Sequence, residues 1–187
     1  DPIVRYVPKA EWWSLSESER NQKALDRYCN PKRKRSLWRL GVEYERYVGY
    51  HYESQGYKVR FHGAVRGRED LGIDLICEND QELLIVQCKR LSVAKGLPVR
   101  ENSIAQIFGA AKFFEINPNE VLERLQIRNG GIHIDKPIRP VMITSFELSE
   151  QARSFSFALG VEVQEHFEVD TYPRVKCNIS PRDSTKI

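Results

Sequence analysis

Three residues of chemically capable type sit inside a stretch that otherwise has the composition of a buried sheet. They are Asp74, Gln87 and Lys89, within GIDLICENDQELLIVQCKR, residues 72–90. The stretch reads as two strands, residues 72–78 and 83–90, joined by a turn at Asn79-Asp80. Side chains alternate along a strand, so Gln87 and Lys89 share a face with Ile85, while Leu84, Val86 and Cys88 point the other way. Antiparallel pairing through the turn brings Asp74 beside the Gln87–Lys89 end. Acids and amines are rarely buried unless they are paired or functional. Two readings follow: a structural Asp74–Lys89 ion pair, or a hydrolytic metal site. Carboxylate and carbonyl oxygens suit Mg²⁺ or Mn²⁺. An adjacent Lys orients an attacking water and offsets charge developing on a phosphate. Residue types alone leave both open.

The elements around this hairpin must position it. A helix is expected over residues 36–55 with Gly56 as its stop, and Leu40, Tyr44, Tyr47, Val48 and His51 make its apolar stripe. Gly49 weakens that helix by about 1 kcal/mol relative to Ala, which marks a close packing contact. YKVRF is a short alternating strand. After the hairpin, Asn102-Ser103 is the expected N-cap of a helix whose stripe is Ile104, Ile107, Phe108, Ala111 and Phe114. A short helix follows Pro118, and Asn129-Gly130-Gly131 is a loop. PVMIT is a further buried strand, SEQARSFSFALG a helix stopped by Gly160, and VEV a last strand. Near the start, Pro2 and Pro8 predict an irregular segment through Trp13. SLSESERNQKALDRYC then reads as a helix capped by Ser14 with Glu17 or Ser16 with Glu19, and ended at Asn30-Pro31. The order predicts an α/β domain with a mixed sheet.

The composition is that of an ordinary globule: 187 residues, 41% hydrophobic and 29% charged. No apolar run approaches the roughly 18 residues of a membrane span. Cys29, Cys77, Cys88 and Cys177 form no CxxC or zinc pattern, and no signal-peptide layout is present, so a reduced, cytoplasmic protein is expected. The net charge of +3 is too small to name a partner, but its distribution is uneven. Lys32, Arg33, Lys34 and Arg35 form one run, with Arg39 behind it; Lys89, Arg90, Lys95 and Arg100 form another. Clustered cations of this kind neutralise phosphates or simply solvate loops. Trp12, Trp13 and Trp38 read as core or interface anchors rather than base-stacking platforms. On the first long helix Glu45 runs beside the apolar stripe, whereas Glu43 reads as solvent-facing.

At the hairpin the sequence resembles Mrr-like endonucleases of the PD-(D/E)xK superfamily. The resemblance rests on Gly72-Ile73-Asp74 followed by Val86-Gln87-Cys88-Lys89, the Q-x-K form of the family's core. GVEYERYVGYHYESQGYKV resembles the first core helix and the following strand, with Tyr44-Glu45 at the family's acid-bearing position. ENSIAQIFGA resembles the helix after the Q-x-K strand, with Gln106 facing the site, and VMITSFELSEQARSFSFALGVEV resembles the closing strand, helix and strand.

The resemblance implies a restriction-endonuclease-like α/β core with a central mixed sheet flanked by helices, preceded by a helical N-terminal segment. It divides the chain into an accessory segment, residues 1–39, and a nuclease domain, residues 40–187. It implies catalytic roles for Glu45, Asp74, Gln87, Lys89 and Gln106. It also implies a Mg²⁺ ion, replaceable by Mn²⁺, held by Asp74, the backbone carbonyl of Cys88 and Glu45. The implied reaction is phosphodiester hydrolysis on DNA, in restriction or defence. A homodimer is expected because cutting both strands takes two sites. Lys32 to Arg35, Arg90 and Lys95 are the expected nucleic-acid contacts. Gln87 stands where related families carry a second acid, which leaves two alternatives: a non-cleaving DNA-binding module of a larger assembly, and a junction or flap nuclease. No Walker A motif is present, so any NTP-driven translocation belongs to another chain.

Overall fold

Leu83 and Ile85 cannot face the same layer as Leu84 and Val86, because neighbouring strand residues point to opposite sides. A strand with apolar residues in both sets must be covered twice. The computed structural model describes residues 9–16, 19, 23, 36–61, 71–91, 96–124, 132 and 135–167. They form helices α1 (Lys9–Ser14) and α2 (Leu37–Ser54), then strands β1 (Lys58–Phe61), β2 (Leu75–Glu78) and β3 (Leu83–Lys89). Helices α3 (Glu101–Ile116) and α4 (Pro118–Arg124), strand β4 (Ile138–Thr144), helix α5 (Glu150–Leu159) and strand β5 (Glu162–Gln164) follow.

The five strands lie in sequence order, β1-β2-β3-β4-β5. The β1–β2 and β2–β3 pairs are antiparallel, and β3–β4 and β4–β5 are parallel. Central β3 is therefore where the sheet changes from one pairing to the other. One face, with Leu75, Cys77, Leu84, Val86, Val141 and Ile143, packs under Tyr44, Tyr47 and Val48 of α2. The opposite face, with Ile76, Leu83, Ile85 and Met142, packs against Ile104, Ile107 and Phe114 of α3 and Ala152 of α5. This is the mixed sheet with flanking helices that the sequence predicts.

Local signals explain most boundaries. Ser36 caps α2 by accepting from the Arg39 amide, and Ser149 caps α5 by accepting from the Ala152 amide. Asn79 Oδ1 accepts from the amides of Gln81 and Glu82 and so shapes the β2–β3 turn. Gly49 makes the expected close contact: a Cβ there would overlap the Phe61 ring.

Three expectations need correction here. Residues 9–14 are helical, not irregular: Pro8 stands just ahead of α1, where a proline's missing N–H costs nothing. Ser14 closes that helix, its hydroxyl donating to the Glu11 carbonyl, while its expected partner Glu17 lies outside the described residues. The Ser16–Glu19 box does form, with the Glu19 amide donating to Ser16 Oγ and the Ser16 amide to Glu19 Oε2. Helix α3 starts at Glu101 with Arg100 as an N-cap lacking a side-chain hydrogen bond, so Asn102-Ser103 lies inside the first turn. Trp13 and Trp38 are 78% and 63% exposed and anchor no core. The Trp12 side chain, most of the expected helix after Ser16 and the Asn129 loop lie outside the described residues.

Candidate active site

The strand signals stop one residue short of the site on β2 and run through it on β3. Strand β2 begins at Leu75 rather than residue 72, and Leu75 pairs with Val86. Asp74 therefore lies just beyond the paired segment, across from Gln87. Its amide donates to the Val86 carbonyl at 2.9 Å, and its Oδ2 accepts from the Cys88 amide at 2.6 Å. Asp74 is 9% exposed. Main chain and side chain together thus clamp it to β3, where an apolar residue would leave a buried amide without an acceptor.

Gln87 is 2% exposed. Its Nε2 donates to Gln106 Oε1 at 3.1 Å, while its Oε1 is buried with no hydrogen-bond partner. Gln106 comes from the otherwise exposed side of α3 and reaches back over the strand end. Beneath both amides lies Gly72, expected from sequence as a strand residue and part of the Gly72-Ile73-Asp74 motif, with no packing role assigned to it. Its φ is +74°, and a Cβ there would sit 2.6 Å from Gln106 Nε2 and 2.9 Å from Gln87 Nε2. Leu71 also has a positive φ, +55°. A non-glycine residue held there costs of order 1–3 kcal/mol and is typical of functional corners. The sequence signal was available in part, as a glycine two residues before the acid; its neighbour in space was not.

Cys88 is enclosed, and burial pushes its thiol well above the ordinary range. The charges of Asp74, Glu45 and Cys77 push it further, and Lys89 partly offsets them. The thiol therefore stays protonated and is no nucleophile. The same balance places Glu45, Asp74 and Lys89 within electrostatic reach of one side chain. Lys89 ends β3 half-exposed, its carbonyl accepting from the Ser145 amide at 3.1 Å. Arg90 beyond it is exposed.

Glu43 is not solvent-facing. Its side chain is 12% exposed and its Oε1 accepts from Arg39 Nε at 3.2 Å, because Arg39 lies one turn earlier on the same helix face. Its partner is thus a local arginine, whereas the Glu45 charge is felt at Cys88. His51 is half-buried, its Nε2 2.9 Å from Gln55 Nε2 and its ring edge-on to Phe167, which is a structural role. Lys32, Arg33, Lys34, Arg35, Lys95, His62, His133 and Asp70 lie outside the described residues.

Among the described residues no three His, Cys, Asp or Glu side chains form a metal-binding group. The corner instead offers the Asp74 carboxylate and the orphaned Gln87 Oε1, while the Glu45 charge is felt at the Cys88 thiol on the α2 side of β3. Such hard oxygen donors fit a Mg²⁺-like cation, and a buried acceptor without a partner is the kind of atom that a cation or a water satisfies.

Residues 40–119 match the family model of the Mrr catalytic domain, described as a restriction endonuclease. No curated protein matches significantly. Among solved structures, the chain is similar to a crystal structure of a protein of unknown function, AF1548, at 17% identity and a TM-score of 0.42. That likeness covers 70% of this chain and 60% of the other. The matched family segment runs from the start of α2 to the start of α4 and contains Glu45, Asp74, Gln87, Lys89 and Gln106. Residues 40–119 are therefore similar to the Mrr restriction-endonuclease domain, which is consistent with an Mrr-like nuclease of the PD-(D/E)xK superfamily.

Proposed function

We propose that this nuclease domain is a metal-dependent endodeoxyribonuclease that hydrolyses phosphodiester bonds in DNA, serving restriction or another defence against foreign DNA. The observation that carries the reading is the convergence of Asp74, Gln87 and Gln106 at one strand end, with Glu45 and Lys89 acting on the same Cys88. Asp74, Glu45, the Cys88 carbonyl and Gln87 Oε1 would hold a Mg²⁺ ion, with Mn²⁺ able to replace it. Bound there, the ion supplies Lewis acidity and lowers the pKa of a coordinated water. Lys89 orients the water and balances the extra negative charge of the phosphorane-like transition state. Asp74, locked by the Cys88 amide, keeps its other oxygen directed without side-chain rearrangement. Gln87 supplies an oxygen donor but no charge, so the site binds its cation less tightly than a second carboxylate would. Arg90, with the basic residues Lys32 to Arg35 and Lys95, would neutralise backbone phosphates. A homodimer would place one such site on each strand of a duplex.

The test is incubation of purified protein with supercoiled plasmid and Mg²⁺ or Mn²⁺, beside an EDTA control and Lys89→Ala. Nicked and linear products are expected, absent with EDTA and reduced at least about 100-fold in Lys89→Ala. Undiminished cleavage in Lys89→Ala would remove the proposed mechanism. A DNA gel shift without cleavage under either metal would favour a non-cleaving binding module.

A further inference from the structure

Seven residues are close to two full turns of an α-helix, so Trp38, Glu45 and Tyr52 stand in one row along α2. Two of the three face the sheet. Tyr52 is buried in the core between α2 and the strands, and the Glu45 charge is felt at Cys88. The third outruns it. Strand β1, which follows α2, begins at Lys58 opposite Glu78. The end of the helix therefore lies away from Asp74, and its start lies at the site end. Tyr44 donates to the Phe167 carbonyl, the Phe167 amide donates to the Thr144 carbonyl, and Thr144 is in register with Lys89. At Tyr44 the helix is thus level with the last residues of β3 and β4. Trp38 comes six residues earlier, about 9 Å further along the axis. There the strands have ended, and the indole is 63% exposed. Leu37, on the row of Tyr44 and Val48, is 71% exposed for the same reason.

Helix α2 thus overhangs the site, and the side it turns that way is apolar and uncovered. An occupant that suits the whole corner carries phosphate for Lys89 and Arg90 and a flat apolar surface for the ring. The residues leading into α2 in sequence, Lys32 to Arg35, are all basic, so charge favours a polyanion over a second copy of this chain, whose net charge is +3.

We propose that Trp38 stacks on an unpaired base of the DNA strand held at the site, about three nucleotides from Glu45. The spacing follows from the roughly 10 Å of helix between positions 38 and 45 and a rise of about 3.4 Å per nucleotide. This rests on the nuclease reading and names its substrate class. An intact duplex keeps its base faces inside the stack, so the ring finds a partner only where the strand is open, at a flap, a bubble or a frayed end. Sequence alone favoured an anchor over a stacking platform at this position; the overhang reverses that order for Trp38.

The experiment measures the fluorescence anisotropy of a labelled single-stranded oligonucleotide and of the matching duplex, in EDTA so that cleavage does not interfere. Trp38→Ala, Trp38→Leu and Trp38→Phe are compared with wild type; the position is exposed, and thermal melts check that all three fold. Ala and Leu are expected to weaken single-strand binding about 5- to 100-fold and duplex binding little, while Phe keeps most of the affinity. Stacking releases no counterions, so the slope of log affinity against log salt should not change. A Leu variant as tight as wild type would show an apolar contact without stacking and overturn the inference. So would an equal loss on both DNAs, or a shallower salt slope, which would trace the loss to phosphate contacts. Sedimentation should give wild type and Trp38→Ala the same mass; a smaller variant would hand the ring to a second copy of the chain, again overturning it. Wild-type protein that neither binds nor cleaves DNA would defeat the nuclease reading, and the inference with it. Wild-type protein that binds, with Trp38→Ala equally tight, would defeat the inference alone.

Discussion

Asp74 Oδ2 lies 2.6 Å from the backbone nitrogen of Cys88, so the acid at the centre of the site is also a structural clasp between β2 and β3. The two roles separate by substitution. Asp74→Ala leaves the Cys88 amide buried without an acceptor and should destabilise the domain by about 1–3 kcal/mol. Asp74→Asn keeps an acceptor oxygen and removes the charge. Its urea midpoint should stay close to wild type while plasmid cleavage falls at least about 100-fold. An Asn variant that cleaves normally would show that the carboxylate serves the fold alone.

The Gly49–Phe61 contact predicts an unusual helix mutant. In an exposed helix, Gly→Ala adds about 1 kcal/mol of stability. Here the new methyl meets the Phe61 ring, and Gly49→Ala should instead cost roughly 1–3 kcal/mol. Adding Phe61→Leu should recover part of that loss, a coupling visible in a double-mutant cycle of urea unfolding.

Cys77 and Cys88 should be inert to thiol reagents in the native state. Both are buried, and burial pushes both thiols upward. Iodoacetamide at pH 8, followed by peptide mapping, should leave both unmodified until denaturant is added. Rapid native labelling of Cys88 would mean that the strand end opens readily.

A polar cluster at the other end of β3 from the site sets pH limits. Tyr57 donates to Glu82 Oε1 at 2.6 Å, Arg139 binds Glu82 Oε2 at 2.7 Å, and Arg139 also binds Glu162 at 2.5 Å. Burial, reinforced by the Glu82 hydrogen bond, pushes the Tyr57 hydroxyl up to about 12. Its folded value exceeds its unfolded one, so its contribution is complete below about pH 10 and fades as pH rises through about 12. Glu82 is shifted the other way, chiefly by the Tyr57 hydrogen bond and then by Arg139, against burial. Its contribution is complete above the ordinary carboxylate range of about pH 4 and is lost as pH falls through its lower folded value. Urea midpoints against pH should therefore fall at both extremes. Tyr57→Phe should flatten the alkaline fall and Glu82→Gln the acid one.

The parts of this molecule that were legible in the sequence are those governed by period and polarity. Alternation assigned Leu84, Val86 and Cys88 to one face of β3 and Ile85 to the other, and the two cores divide that way. Helix period gave Tyr44, Tyr47 and Val48 as the buried stripe of α2. What escaped were features that depend on a neighbour distant in sequence or on a residue with two meanings. Pro8 was taken as a breaker, although it stands at a helix start. Glu43 looked solvent-facing until Arg39 covered it. Gly72 carried no signal of the two amides lying above it, because one comes from β3 and the other from α3. Of the core-or-interface reading of Trp13 and Trp38, the core half fails, because hydrophobicity ranks a residue's preference and both side chains are exposed.

The place of β3 in the sheet has a kinetic meaning. It is paired on both edges and covered on both faces, so its amides should exchange with solvent only when the whole domain unfolds. Gln87 and Cys88 therefore ride on the segment least able to breathe. A platform of that kind holds its groups at fixed spacing and yields little to what it meets. Under the proposed activity, the deformation needed to seat a scissile phosphate against it would fall on the nucleic acid, and its ease would vary with the local flexibility of the duplex.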